Sequence, residues 1–270
     1  MTMRTALVTG ASRGIGRAIA LALGRAGFAV VVTARTMQAG EGRHDGMGQV
    51  PVPGSVAETV AAIEAEGGTA LGVKLDLLDR DSIDAAVHAT LARFGRLDVL
   101  VANGIYQGPA VRQTLLDLDL DDAERMTTGN FVNQVHLARV ALAPMLRHGG
   151  GRMIFMSTLS SVQPTVGSSG LFYNGPKAAF NRIPDYVNFE HGKDGISAFL
   201  IEPDFTMTDT LRAVLGEEAD RIGLGRTPFQ AEDTARTVVW LAQSPDAPAL
   251  AGPEMIRAPT FFADRGIDPS

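Results

Sequence analysis

The sequence predicts an α/β fold: a single doubly wound parallel sheet of six to seven strands with helices on both faces. Three observations carry that prediction. Short β-branched runs alternate with longer segments of helical periodicity, the pattern of right-handed strand–helix–strand crossovers. A glycine-rich turn joins the first strand directly to the first helix. The chain has 270 residues, 45% of them hydrophobic and 20% charged, which suits one domain spanning 1–270 with a sizeable core.

Strands are expected over 5–9, 29–34, 70–75, 97–102, 152–156 and 196–201, with a seventh around 254–256. Each of the first six is a run of five or six mostly apolar or β-branched residues, charged only at Lys74, Asp98 and Arg152, and reads as a buried strand. Helical periods fall at 15–26, 56–66, 82–94, 121–147 and about 174–191. Ser55 and Glu58 form a capping box that opens the second helix. In the long helix, Phe131, Val135, Ala138, Leu142 and Met145 make a stripe for core packing or for a helix–helix subunit interface. Pro176 suits only a first helical turn, so the last helix should begin near Asn174, and Pro184 should then kink it. The clustered Asp117, Asp119, Asp121 and Asp122 read as partners for the N-terminus of the long helix. The connection 36–54 holds five glycines and two prolines without periodicity, which is long for a compact domain and marks a mobile or functional segment.

Composition narrows the function. A net charge of −6 leaves no basic footprint for nucleic acid or anionic lipid. The absence of cysteine excludes a disulfide scaffold, a thiolate zinc site and a cysteine nucleophile. The five histidines show no metal-ligand spacing. No apolar run reaches membrane-spanning length, and the residues before the first glycine leave no room for a secretory segment. The expectation is a cytoplasmic protein without metal. One residue in nine is glycine, an excess that points to tight turns or to backbone brought close to a ligand.

Three of those glycines sit in Thr9-Gly10-Ala11-Ser12-Arg13-Gly14-Ile15-Gly16, between a strand and a helix. Such a turn presents backbone N–H groups and a helix N-terminus to a pyrophosphate, as in Rossmann-type folds. Gly10, Ser12 and Gly14 also fit the G-x-S-x-G elbow of hydrolases, but only nine residues precede Gly10 and none can supply the upstream oxyanion loop. No Gly-Lys-[Ser/Thr] follows, so a nucleotide-triphosphate loop fails too. The second strand leads to Arg35 with no carboxylate beside it, which favours the 2′-phosphate of NADP(H) over the 2′-hydroxyl of NAD(H). Arg13 offers a second positive charge to the same phosphate, and the segment 36–54, which follows the strand carrying Arg35, is expected to close over it.

Tyr173 lies four residues before Lys177, and on a helix the two share a face. A neighbouring ammonium stabilises a phenolate, which would poise the tyrosine to give a proton to a carbonyl or take one from an alcohol.

With the glycine turn, this pair makes the chain resemble the short-chain dehydrogenase/reductase family over nearly its full length. The resemblance implies that Gly10, Ser12, Arg13, Gly14, Ile15 and Gly16 form the cofactor turn. Asp76, followed by Leu77, matches the aspartate that contacts adenine. Asn103 and Gly104 match the family's N-N-A-G segment, with Ala102 in place of the first Asn. Tyr173 becomes the general acid–base, and Lys177 lowers its pKa and binds the nicotinamide ribose. Asn130 falls where the family holds a water that connects the lysine to solvent. Pro203, Thr206 and Thr208 match the nicotinamide and pyrophosphate side.

The substrate-binding hydroxyl is open among Ser160, which has the family spacing of thirteen residues before Tyr173, Thr158, which aligns with the strand end, and Ser157. The Thr158 alignment places two extra residues near Ser168 and Ser169. Asp204 stands where the family has glycine, putting a carboxylate beside the expected carboxamide site. Leu211, Val214, Leu215 and Ile222 are expected to wall the substrate side, and Phe261–Phe262 to cover a pocket or interface or to pack in the core. The implied protein is an NADP(H)-dependent oxidoreductase interconverting carbonyl and alcohol on a small molecule, as a homodimer or homotetramer. The alternative is a nucleotide-binding regulator of the same fold without catalysis.

Overall fold

A computed structural model describes residues 3–164, 170–216 and 227–268. The chain begins with β1 (Thr5–Thr9), α1 (Gly14–Arg25) and β2 (Ala29–Ala34), followed by the short strands β3 (Arg43–His44) and β4 (Val50–Pro51). Next come α2 (Val56–Ala65), β5 (Thr69–Lys74), α3 (Arg80–Phe94), β6 (Val99–Ala102), α4 (Leu120–Thr127), α5 (Asn133–Arg147) and β7 (Gly151–Met156). The described remainder is α6 (Leu171–Phe180), α7 (Arg182–His191), β8 (Ile196–Glu202), α8 (Asp209–Leu215), α9 (Ala231–Gln243), β9 (Met255–Arg257) and α10 (Phe261–Arg265).

Seven strands form one parallel sheet in the order β5-β2-β1-β6-β7-β8-β9. The order reverses between β1 and β6, and at such a switch point the connections leave in opposite directions and open a crevice beyond the strand ends. Both faces of the sheet are covered. Val8, Val30, Val101, Ile154 and Phe199 pack with Ile19 and Leu23 of α1 and Val238 and Leu241 of α9. Leu7, Val31, Leu100 and Phe155 turn to the other side, against Ile83 of α3, Leu137 and Met145 of α5, and Phe180 of α6. Two buried faces explain why these strands read as predominantly apolar runs. No helix of the described residues is long and apolar enough to cross a membrane.

Three expectations need correction. The long helix is divided: a π-helical segment, Thr128–Val132, separates α4 from α5. The bulge turns the α5 face, so Leu137, Ala138, Ala141 and Met145 are buried whereas Val135 is 42% exposed. The helix of Tyr173 starts at Leu171, three residues earlier than the Pro176 argument allows, and Pro176 sits in its second turn. Its missing N–H forgoes one bond, to the carbonyl of Phe172. The helix then breaks at Asn181, and Pro184 lies in the first turn of α7, where a proline is tolerated. The connection 36–54, expected as a mobile or functional segment, carries structure of its own. β3 and β4 pair antiparallel around a 3₁₀ turn, Asp45–Met47.

The second helix is capped as expected in part. Ser55 Oγ accepts from Glu58 N at 3.1 Å, while the Glu58 carboxylate accepts from the Ser55 hydroxyl at 2.7 Å and not from the backbone N–H as in a full capping box. Other expectations are met. Asp119 caps α4, its Oδ1 accepting from Asp121 N and Asp122 N. Phe261 is fully buried, 5.0 Å from the ring of Trp240, so it belongs to the core.

Candidate active site

A cleft of about 430 Å³ opens at the C-terminal ends of β1, β2 and β6, where the strand order reverses. Its wall begins with the glycine turn. Gly10 and Gly14 have φ of +65° and +53°, backbone that side chains other than glycine rarely adopt. Gly16 is constrained by space: a Cβ there would lie 2.3 Å from the Gly10 carbonyl oxygen. The turn is braced from β6. Asn103 Nδ2 donates to Thr9 O at 2.9 Å, and Gly104 N donates to Thr9 Oγ1 at 2.9 Å. The α1 N-terminus carries no side-chain cap. Its first-turn N–H groups are therefore available to an anion, and that fits the pyrophosphate of a dinucleotide.

The cleft brings together most of the residues singled out in the sequence: Gly10, Ser12, Arg13, Gly14, Ile15 and Gly16 from the turn, Arg35, Asp76 and Leu77, Asn103 and Gly104, Tyr173 and Lys177, Pro203 and Thr208. Asp76 Oδ1 accepts from Leu78 N at 2.9 Å, which fixes the loop beyond β5. Thr208 caps α8, its Oγ1 accepting from Leu211 N at 3.2 Å. Leu211 and Val214 line the cleft as an apolar wall, while Leu215 is buried beside Met207 and Ile222 lies outside the described residues.

Four residues stand elsewhere. Among the described residues the lining includes Ser157 but not Thr158, Ser160, Asn130 or Thr206. Ser160 Oγ donates to Asn174 Oδ1 at 2.7 Å and lies 3.0 Å from Thr158 Oγ1. Ser157 Oγ donates to Asn181 Oδ1. Asn130, inside the π segment, clasps the backbone of Tyr106, accepting from its N–H at 2.7 Å and donating to its carbonyl at 2.8 Å. Thr206 Oγ1 donates to Pro203 O at 2.7 Å and so locks the turn after β8. Ser168 and Ser169 lie outside the described residues.

The carboxylate of Asp204 does not enter the cleft lining either. Arg257, on β9, binds it through Nε at 2.9 Å and through Nη2, which turns it toward the sheet edge. The backbone nonetheless keeps the turn a glycine would make, with φ of +52°.

The electrostatics of the Tyr–Lys pair differ from the expectation. Lys177 is buried at 4% exposure, and burial pushes its ammonium down to about 7. Burial also pushes the Tyr173 phenol above its usual value. Desolvation opposes the charged form of each group and outweighs any help the ammonium gives a phenolate. Lys177 Nζ donates to Met156 O at 2.5 Å and lies 4.3 Å from the Phe180 ring centroid. The ring of Tyr173 packs against the cluster of Tyr106, Ala110, Val111 and Met126.

The 36–54 segment contributes to the cleft through its hairpin, by residues that sequence reasoning did not single out. Arg43, His44, Asp45 and Met47 line it, as do Tyr106 and Gln107 opposite. His44 Nε2 meets Gln107 Oε1 at 2.8 Å, closing the hairpin onto the loop after β6. Arg13 fastens its base, with Nε donating to Pro53 O at 2.6 Å and Nη2 to Thr36 Oγ1 and Gly54 O. The forward signals were the length and glycine content of the segment and its place directly after the strand carrying Arg35.

Comparison with known proteins places this architecture. The family model for short chain dehydrogenase matches residues 4–219. A 3-oxoacyl-[acyl-carrier-protein] reductase from Synechocystis sp. is 30% identical over 269 residues, covering 99% of this chain and 98% of the relative. A 7alpha-hydroxysteroid dehydrogenase from Escherichia coli K12 is 26% identical, covering 92% and 90%. Among solved structures, a dehydrogenase/reductase from Sinorhizobium meliloti 1021 superposes with a TM-score of 0.77 at 25% identity, over 95% of this chain and 94% of that one. A proposed NAD(P) dependent gluconate 5-dehydrogenase from Beutenbergia cavernae, solved with NADP at low occupancy, gives 0.77 at 27% identity, over 96% and 97%. The chain belongs to the short-chain dehydrogenase/reductase family, whose members are NAD(P)-binding oxidoreductases acting on CH–OH and C=O groups.

Proposed function

We propose that the protein interconverts a carbonyl and an alcohol on a small molecule, with NADP(H) as its preferred cofactor and Tyr173 as general acid–base. The observation that carries this reading is the meeting, in one cleft, of the braced glycine turn, Arg35 and the Tyr173–Lys177 pair. When bound, the cofactor supplies or accepts the hydride at the carbonyl carbon. The chain's own residues do the rest. Gly10, Gly14, Ile15 and Gly16 receive the pyrophosphate, Asp76 and Leu77 the adenine, and Arg35 the 2′-phosphate.

Tyr173, its phenol raised by burial, is protonated at neutral pH and so donates to a carbonyl oxygen during reduction. Lys177, one helical turn on, offsets the charge then left on Tyr173 Oη. For the substrate-orienting hydroxyl, proton bookkeeping separates the three neighbours. Ser160 and Ser157 each give their single proton to an asparagine oxygen. Among the described residues Thr158 faces only the Ser160 hydroxyl and keeps the least committed proton of the three, whereas Ser157 is the one that lines the cleft. Asn130 acts through Tyr106, whose backbone it holds in the cleft wall. Assembly as a homodimer or homotetramer would use α7, where Tyr186 and Phe189 are 58% and 86% exposed; a monomer in sedimentation velocity would end that part of the reading.

The experiment is a screen of ketones and aldehydes for NADPH oxidation, followed by Tyr173→Phe on the best substrate. Turnover should fall by a factor of about 10² to 10⁴, the usual contribution of a positioned proton donor, with NADPH binding kept. Near-normal turnover in the variant would overturn the mechanism.

A further inference from the structure

Arg35 does not face the cleft alone. Its Nη1 lies 2.7 Å from Asp45 Oδ2, and Asp45 comes from the turn of the β3–β4 hairpin. Both residues line the cleft. Asp45 is the fixed member of the pair, its side chain 20% exposed against 42% for Arg35. Gln49 Nε2 donates to its other oxygen at 3.0 Å. The neighbouring His44 is held by Gln107, and Gly46 packs so tightly that a Cβ there would lie 2.6 Å from Gly108 O. The contact with Arg35 is nevertheless undirected: Oδ2 is buried and receives no aligned hydrogen bond among the described residues. A carboxylate is thus built into the wall, and a more exposed guanidinium leans on it through charge.

We propose that Asp45 discriminates between cofactors: it is a resident counter-ion that occupies Arg35, and a 2′-phosphorylated nucleotide must displace it. This rests on the reading that Arg35 selects the 2′-phosphate, and it deepens that reading. A phosphate dianion and the carboxylate compete for one guanidinium, and after exchange the carboxylate repels the phosphate across a partly buried site where salt screens weakly. A ribose 2′-hydroxyl brings no charge and meets no such competition. Asp45 therefore lowers the preference for NADP(H) below the level that Arg35 alone would set, and it does so from a loop outside the glycine turn and the end of β2.

The test needs no turnover. Calorimetric titration of the full chain with 2′,5′-ADP and with 5′-AMP compares fragments that differ only in the 2′-phosphate. Asp45→Asn, which keeps the shape and a partner for Gln49, should tighten 2′,5′-ADP on the order of tenfold, the effect of removing one like charge a few ångströms away in a part-aqueous site. It should leave 5′-AMP unchanged, and Asp45→Ser should shift the ratio in the same direction. An unchanged ratio of the two affinities would overturn the proposal. So would a loss of 5′-AMP binding, because Asp45 would then be a ribose acceptor. Arg35→Ala separates the proposal from the reading beneath it. Selective loss of 2′,5′-ADP leaves the reading standing whichever way Asp45→Asn falls, whereas equal loss of both fragments ends the reading and the proposal together.

Discussion

Arg257 Nε donates to Asp204 Oδ2 at 2.9 Å, tying the turn after β8 to the last strand of the sheet. Asp204 holds a φ of +52°, and a non-glycine residue there stores about 1 kcal/mol of strain. The ion pair, half-exposed on the arginine side, returns at most about 1 kcal/mol. The two effects nearly cancel. Asp204→Gly should therefore leave stability within about 1 kcal/mol of the parent, whereas Asp204→Ala keeps the strain, loses the pair and should be less stable than Asp204→Gly by about 1 kcal/mol. Urea unfolding of the two variants checks this; equal midpoints would show that the backbone at 204 is not strained.

That contact also shows where sequence reading stops. The central strands were legible because burial on both faces gives β1, β2, β6 and β8 predominantly apolar runs, and the glycine turn because a positive φ and a missing Cβ leave a residue-type signature. Tyr173 and Lys177 were legible because helical spacing alone puts them on one face. Asp204 was visible as a departure, but its partner lies 53 residues away on an edge strand, and no local pattern announces it. The π segment reads as ordinary helix because its residues have ordinary propensities, and the bulge depends on how Asn130 grips Tyr106. The hairpin carries two-residue strands, too short for any period to register. Its contribution to the cleft rests on tertiary contacts through His44, Asp45 and Gly46.

The glycine turn offers a sharper contrast. A Cβ at Gly16 would lie 2.3 Å from Gly10 O and 2.5 Å from Asn103 Nδ2, with backbone on one side and a bracing amide on the other. At Gly175, inside the Tyr173–Lys177 motif, the nearest atom is Leu171 Cδ1 at 3.9 Å. Gly16→Ala should destabilise the fold by about 1–3 kcal/mol through overpacking and weaken binding of both NADH and NADPH. Gly175→Ala should be neutral or stabilising by up to about 1 kcal/mol, since alanine is the better helix former. Thermal unfolding and nucleotide fluorescence titration measure both. If Gly16→Ala bound nucleotide normally, the turn would have slack that this geometry denies.

The burial of Lys177 has a consequence for stability against pH. Its ammonium is pushed down to about 7, whereas in the unfolded chain the lysine keeps its proton to about pH 10.4. Between those values the unfolded state binds more protons than the folded one, so this group makes stability rise with pH across the window. Below pH 7 both states are protonated and the burial penalty is present in full. Tyr173, its phenol raised by burial, acts only above about pH 10, where its deprotonation in the unfolded chain lowers stability. Lys177→Met removes the titration and keeps most of the volume, and the donor lost to Met156 O is a cost that does not vary with pH. The melting temperature of Lys177→Met relative to the parent should therefore be highest at and below pH 7 and decline steadily toward pH 10. A difference that stays constant from pH 7 to pH 10 would mean that Lys177 holds its proton throughout, and that the charged lysine is the resting form beside Tyr173.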